Sequence, residues 1–257
     1  MSQQIDIDVT FDFRSDTRAG KDPDKDSPTL RRYHQQLWSK PLPSGAQFNL
    51  SVATSGEYLH HQSEIGDFSL SSDSVLPTFD YWKIPPPYLK QVPETEQEDF
   101  ARLTYTMAGM MVFWSHQIER QQTINQARGT TKTIGDRFDL TLECIRRHYL
   151  GEGTAFPLAV TLTRYTDFFA LFGDFRGYVD FFLLQDLVTD DYSTVRFFSP
   201  FANFTTPAVP QTLDGYRHYR QLTVEFIDSR NRRIAASLQG HQSIDGVGES
   251  EQEAISG

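Results

Sequence analysis

The chain has 257 residues, 38% hydrophobic and 13% aromatic, enough apolar material for a sizeable core and the opposite of a disordered composition. A formal net charge of −10 argues against a protein that coats extended duplex DNA, because such proteins neutralise many phosphates with Lys and Arg. Cys144 is the sole cysteine, so no intrachain disulfide forms and nothing points to an oxidising compartment.

In chain order, Ile5 to Phe13 alternates apolar and acidic residues and predicts a half-buried strand. After a charged Gly/Asp/Lys/Pro loop, Ser27 is a cap and Pro28 a first-turn residue for a helix over 29–38, with Leu30, Tyr33 and Leu37 on one stripe. Residues 39–56 read as loop with one short strand. A hairpin follows, 57–63 against 68–74 around the turn Glu64 to Asp67. Residues 83–99 read as a stiff exposed connection, and Tyr105 to Trp114 as a buried strand. Ser115 to Thr133 is a polar loop, Ile134 to Tyr149 a helix, and 157–188 an aromatic helical region interrupted near Gly173 and Gly177. Residues 194–204 and 219–228 suggest strands or short helical pieces.

Strands gather in the first half and helices in the second. This predicts an α+β fold, a hairpin-bearing mixed sheet with helices packed on it, as one domain over 1–238. Residues 239–257 form a Gly-, Ser- and acid-rich tail expected to be flexible. The N-terminus lacks the basic and then apolar regions of a signal peptide. No apolar run approaches the roughly 18 residues of a membrane span, so a cytoplasmic location is expected.

Two clusters could carry chemistry. With Ser63 opposite Phe68, one hairpin face holds Tyr58, His60, Ser71 and Asp73, placing His60 opposite Ser71 and diagonal to Asp73. An imidazole beside a hydroxyl and a carboxylate suits acid–base chemistry, and equally the polar outer face of an ordinary hairpin. In the loop Thr123 to Lys132, Asn125 and Arg128 are donors for an anionic group, with Gly129 allowing a turn that presents the guanidinium; the alternative is a solvated connection. Arg31, Arg32 and His34 on the first helix are further phosphate contacts in this scheme. Cys144 among Arg146, Arg147 and His148 is either a low-pKa thiol or a small core residue. The sequence names no cofactor and no metal site: there is no Cys pair, and His60 and His61 point to opposite faces of a strand.

Several strings resemble a family of uncharacterised bacterial proteins, a domain of unknown function. They are Phe11-Asp-Phe-Arg-Ser-Asp16, Ser27 through Gly45, Tyr58-Leu-His-His-Gln-Ser63, Thr123-Ile-Asn-Gln-Ala-Arg-Gly129, Asp136 through Tyr149 and Phe172 through Val188. The resemblance implies a bacterial origin and a shared fold and carries no activity. The residues support an enzyme or binding protein for a nucleotide, nucleobase or nucleic-acid end, in which Arg128 holds the anionic group and His60 with Asp73 moves protons. A non-catalytic protein–protein interaction module is the alternative. An exposed apolar patch built from the aromatics of 165–188 would favour it.

Overall fold

The computed structural model describes residues 6–52, 59–63, 65–79 and 84–252. The N-terminal half holds a one-turn helix α1 (Pro23–Asp26), helix α2 (Pro28–Trp38) and five strands: β1 (Lys40–Pro41), β2 (Gln47–Val52), β3 (Leu59–Ser63), β4 (Gly66–Ser74) and β5 (Met110–Trp114). Helix α3 (Glu94–Thr104) precedes β5. The C-terminal half is helical: α4 (Ile124–Thr130), α5 (Phe138–Tyr149), α6 (Ala159–Thr163), α7 (Thr166–Ala170), α8 (Phe175–Phe181) and α9 (Leu213–Gln252). The α+β expectation is met. Among the described residues the strands pair in sequence order and every pairing is antiparallel, so the sheet is a meander rather than mixed.

Local chemistry explains where the elements start. The Ser27 hydroxyl accepts the Leu30 N–H at the head of α2, with Pro28 at its first position, as the sequence predicts. Residues 6–12 form no strand. Asp8 accepts the Thr10 N–H and hydroxyl, and Asp12 accepts the Arg14 N–H to open a 3-10 turn over Phe13–Asp16. These short acids compete for the backbone that a strand would need. Part of the stretch read as an exposed connection, residues 94–99, opens α3, whose first turn carries Glu94 and Glu96 where the helix dipole favours them. Helix α5 begins at Phe138 rather than Ile134 because Gly135 and Asp136 both have positive φ (53° and 59°), which no helix continues through.

Residues 219–228 lie wholly within α9. Tyr216, Tyr219, Thr223, Ile227, Arg230 and Ile234 are buried at steps of three and four, a helical stripe facing the core. Arg230, fully buried, donates to the carbonyls of Ala108, Met110 and Phe182, and so ties α9 to the segment entering β5 and to the end of α8. The aromatics of 165–188 fold into α7, α8 and the turns around them. Phe168, Phe169, Phe172, Tyr178, Phe181 and Phe182 sit in one apolar core that draws on residues from Ile7 to Ile234.

Strand β4 is the structural centre, paired with β3 on one side and β5 on the other. Ser71 and Ser72 are both buried although they point to opposite faces, so this stretch of the sheet is covered on both sides.

Candidate functional site

Each face of β4 carries its own polar network. On one, His34 of α2 contacts the Ser72 hydroxyl at 2.9 Å, and Trp38 Nε1 donates to His34 Nδ1 at 3.0 Å. Indole N–H only donates, so Nδ1 is the acceptor and Nε2 carries the proton toward Ser72. Burial, and then the Arg230 charge, lower the His34 pKa to about 3 and keep it neutral. His34 therefore belongs to the core and is no phosphate contact.

On the other face stands Asp73, and the element that meets it is α4. The expected loop 115–133 contains this helix. Thr123 and Gln126 form a reciprocal capping box: the Thr123 hydroxyl accepts the Gln126 N–H and the Gln126 side chain accepts the Thr123 N–H. Arg128 therefore lies inside a helix rather than at an exposed turn, and it is fully buried. Its Nη1 donates to Asp73 Oδ2 at 2.8 Å and to Asn125 Oδ1 at 3.2 Å. Its Nε donates to the Thr141 hydroxyl at 3.1 Å, and its Nη2 to the carbonyls of Asp136 at 2.6 Å and Ser74 at 3.4 Å. A guanidinium has five N–H donors and here all five are taken. The Phe113 ring covers its face, 4.4 Å from centroid to guanidinium carbon. Arg128 joins β4, α4 and α5, and has nothing left to offer a ligand.

Asp73 also faces Asp24 of α1, the two carboxyls within hydrogen-bonding reach. Asp24 is 8% exposed, and its Oδ1 has no hydrogen-bond partner among the described residues. Burial first, and the Asp73 charge second, raise the Asp24 carboxyl well above the usual carboxylate range. Burial raises Asp73 as well, but there the adjacent Arg128 acts in the opposite direction. The proton of the pair therefore rests on Asp24, and Asp73 is the charged partner of Arg128.

Beside this assembly opens a cavity of about 530 Å³. Its wall comes from Lys25 of α1, Ser69 and Ser71 of β4, Ser115, His116 and Gln117 just past β5, and Thr123, Asn125 and Gln126 at the head of α4. The Ser115 hydroxyl oxygen is buried without a hydrogen-bond partner among the described residues.

The sequence-predicted residues separate. Ser71 and Asn125 line the cavity, while Asp73 and Arg128 lie behind it and hold Asn125 in place. The hairpin register is two residues tighter than expected, with Ser63 opposite Gly66, whose φ of 118° suits glycine. His60 consequently faces Ser69, not Ser71, and remains half-buried on the same face of the sheet. Asp73 lies four residues further along β4 than Ser69, roughly 13 Å at ~3.3 Å per residue. The expected His60–Asp73 pair therefore does not form. Tyr58 lies outside the described residues. Arg31 donates to the Lys25 carbonyl at 2.6 Å and Arg32 to the Thr29 hydroxyl at 3.1 Å; neither lines the cavity. Cys144 is buried and burial pushes its thiol up to about 12, so it is a core residue and no low-pKa thiol. Glu143 instead pairs with Arg146 at 2.8 Å and Arg147 at 2.7 Å.

Sequence reasoning missed Asp24, Lys25, Ser69, Ser115, His116 and Gln117. One signal was present: Thr123-x-x-Gln126 is a capping-box pattern that places a helix start there. Nothing local brings α1 against β4. Among the described residues, no group of three or more His, Cys, Asp or Glu side chains could hold a metal ion.

Fold and site together define an α+β protein with a polar cavity set between the outer face of an antiparallel sheet and two short helices. No helix among the described residues is long and apolar enough to cross a membrane. The chain belongs to DUF6994, a family of unknown function that matches residues 7–234. Comparison with curated proteins and with solved structures gives no match.

Proposed function

We propose that this is a bacterial, cytoplasmic protein that binds a small polar ligand of the nucleotide or nucleobase class in the cavity between α1, β4 and α4. The observation that carries the reading is the lining. Three serines (Ser69, Ser71 and Ser115), Asn125 and Lys25 border one space, and the Ser115 hydroxyl is buried with its hydrogen-bonding capacity unspent. A buried hydroxyl without a partner costs about 1–3 kcal/mol, a cost that a hydrogen-bonding ligand removes. In this reading Lys25 faces the anionic group. The serines and the Asn125 amide read its polar edges, and Arg128 positions Asn125 without touching the ligand. Of the imidazoles, His116 lines this cavity, and His60 stands opposite Ser69 on β3. The aromatics of 165–188 that would have built the interaction module's exposed patch lie in the core, which removes that support from the alternative.

A thermal-shift panel of nucleotides, nucleobases, sugar phosphates and inorganic phosphate tests the proposal on the wild type, Ser71→Ala and Ser115→Ala. A ligand at 100 times its dissociation constant adds about 2.7 kcal/mol, or roughly 5–10 °C for a chain of this size. The expected result is a shift with one ligand class that the serine variants reduce while their unliganded midpoints hold. Absence of any shift across the panel refutes the reading.

A further inference from the structure

Helix α1 is a single turn, yet it supplies one wall of the cavity through Lys25. Pro23 and Asp24, two of its four residues, are buried. Asp22 caps it by accepting the Asp24 N–H, Arg31 of α2 donates to the Lys25 carbonyl, and Arg18 pairs with Asp26 at an exposed edge. The contact that seats it on β4 is between two acids, Asp24 and Asp73, in a place where Asp24 is 8% exposed and has no cation within ion-pair distance among the described residues. Two carboxyls, one of them buried, are held together only while one of them holds a proton, which then bridges the oxygens; with both ionised the contact is repulsive.

The surrounding charges do not supply the missing compensation. Asp22 on α1 and Asp136 on the connection between α4 and α5 add negative charge to the neighbourhood. Lys25 faces the cavity, and Arg31 donates through Nη1 to the Lys25 carbonyl and forms no ion pair with either acid among the described residues. Arg128 is the positive group against the pair. Its donors are committed to Asp73, Asn125, Thr141 and two carbonyls, so it can neutralise Asp73 but has no N–H for Asp24. A second negative charge on Asp24 has nowhere to go except into water, and water is reached by moving α1.

We propose that α1 is a proton-held wall of the cavity: with one proton shared between Asp24 and Asp73 the turn is seated on β4, and loss of that proton drives the two carboxylates apart and takes Lys25 away from the cavity. This rests on the ligand reading above for its consequence, since ligand binding would weaken as pH rises, but the movement itself is a property of the free protein. The elevated Asp24 carboxyl agrees with it. Moving one turn breaks no strand pairing, so the change is local.

The test is amide hydrogen exchange on the whole, ligand-free protein from about pH 5 to about pH 9, corrected for the intrinsic pH dependence of exchange. The amides to follow are those of Asp24, Lys25, Asp26 and Ser27, which donate within the turn to Asp22 and Pro23. The expected result is a loss of their protection by about tenfold or more as pH rises, with α5 unchanged. In Asp24→Asn and in Asp24→Ser the protection should not vary with pH. Constant protection in the wild type overturns the proposal. So does an equal pH-dependent loss in the Asp24 variants, which would place the titrating group elsewhere, and so does a loss shared by α5, which would mean global unfolding. Because no ligand is present, each of these outcomes leaves the ligand reading to be judged by its thermal-shift panel.

Discussion

Replacing Arg128 by Ala should destabilise the protein by about 3 kcal/mol or more, whatever it does to a ligand. The magnitude follows from what the guanidinium touches. Asp73 would lose its 2.8 Å ion pair, the Thr141 hydroxyl a donor, and the carbonyls of Asp136 and Ser74 one donor each. Removing one partner of a buried pair costs about 3–5 kcal/mol, chiefly because the other charge stays behind. The Asp73 side chain is 23% exposed, so water relieves part of this and the lower end applies. The void over Phe113 then adds a packing term of the same sign. At about 2–4 °C per kcal/mol the melting midpoint should fall by roughly 6–12 °C. Urea unfolding of the wild type, Arg128→Ala, Asp73→Ala and the double variant measures it. The double variant should cost less than the sum of the singles by about 1 kcal/mol or more, since each single strands the other group. A stability within about 0.5 kcal/mol of the wild type for Arg128→Ala would refute the reasoning. Arg128 would then be the solvent-facing anion contact that its Arg-Gly sequence suggests.

The remaining predictions concern titration and reactivity. Because the folded carboxyl of Asp24 lies above its unfolded value, the folded state binds the extra proton, and stability falls as pH rises from about 4 toward that folded value. Asp24→Asn should therefore be more stable than the wild type at neutral pH, with the advantage vanishing near pH 4, as urea midpoints across pH would show. His34 has the opposite sign: its folded pKa of about 3 is below the unfolded value, so stability is lost as pH falls below about 6.5. His34→Gln should flatten that acid limb in circular-dichroism melts. Cys144, its thiol pushed up to about 12 by burial, should fail to react with a thiol-specific chromogenic reagent in the native protein, and one equivalent should react after denaturation.

What the sequence revealed and concealed divides by range. Helix α2 was legible because its start depends on neighbours: Ser27 caps Leu30 three residues away, and Pro28 occupies the position where it costs nothing. Of the strand expected over 105–114 only β5 formed, legible because five consecutive buried apolar residues at strand length have few alternatives, whereas Met107–Gly109 make a 3-10 turn. The hairpin kept its faces while losing its register, since a slip of two residues preserves which side chains share a side and changes only which ones are opposed. That slip is what undid the His60–Asp73 pairing. Arg128 was misplaced for a different reason. Arg-Gly reads as a turn, yet Gly129 sits in the helix, where an added Cβ would meet the Asp136 carboxylate at 3.1 Å. The meeting of Asp24 with Asp73, 49 positions apart in sequence, has no local signature, and neither does the cavity whose wall both elements help to build.

The distribution of polar groups along β4 favours a binding role over a purely structural one. A central strand covered on both faces is normally a run of apolar residues, but this one reads Ser69-Leu-Ser-Ser-Asp-Ser74. Burying such groups costs stability unless each finds a partner. Ser72 has one in His34, Asp73 has one in Arg128, and the Ser74 hydroxyl donates to the Leu76 carbonyl. If the polar strand existed only to knit the fold, Ser71 should be satisfied in the same way. Instead Ser71, 7% exposed, lines the cavity. On the neighbouring strand the Ser115 hydroxyl lies buried and unpartnered among the described residues, just past the end of β5. Buried unpartnered atoms also occur on this sheet away from the cavity, at His61 Nδ1 and Trp114 Nε1, so it is the Ser115 hydroxyl, at the cavity wall, that bears on a ligand. An unspent hydroxyl at a cavity wall is expected of a preorganised site, where stability is given up at a position a ligand will later satisfy.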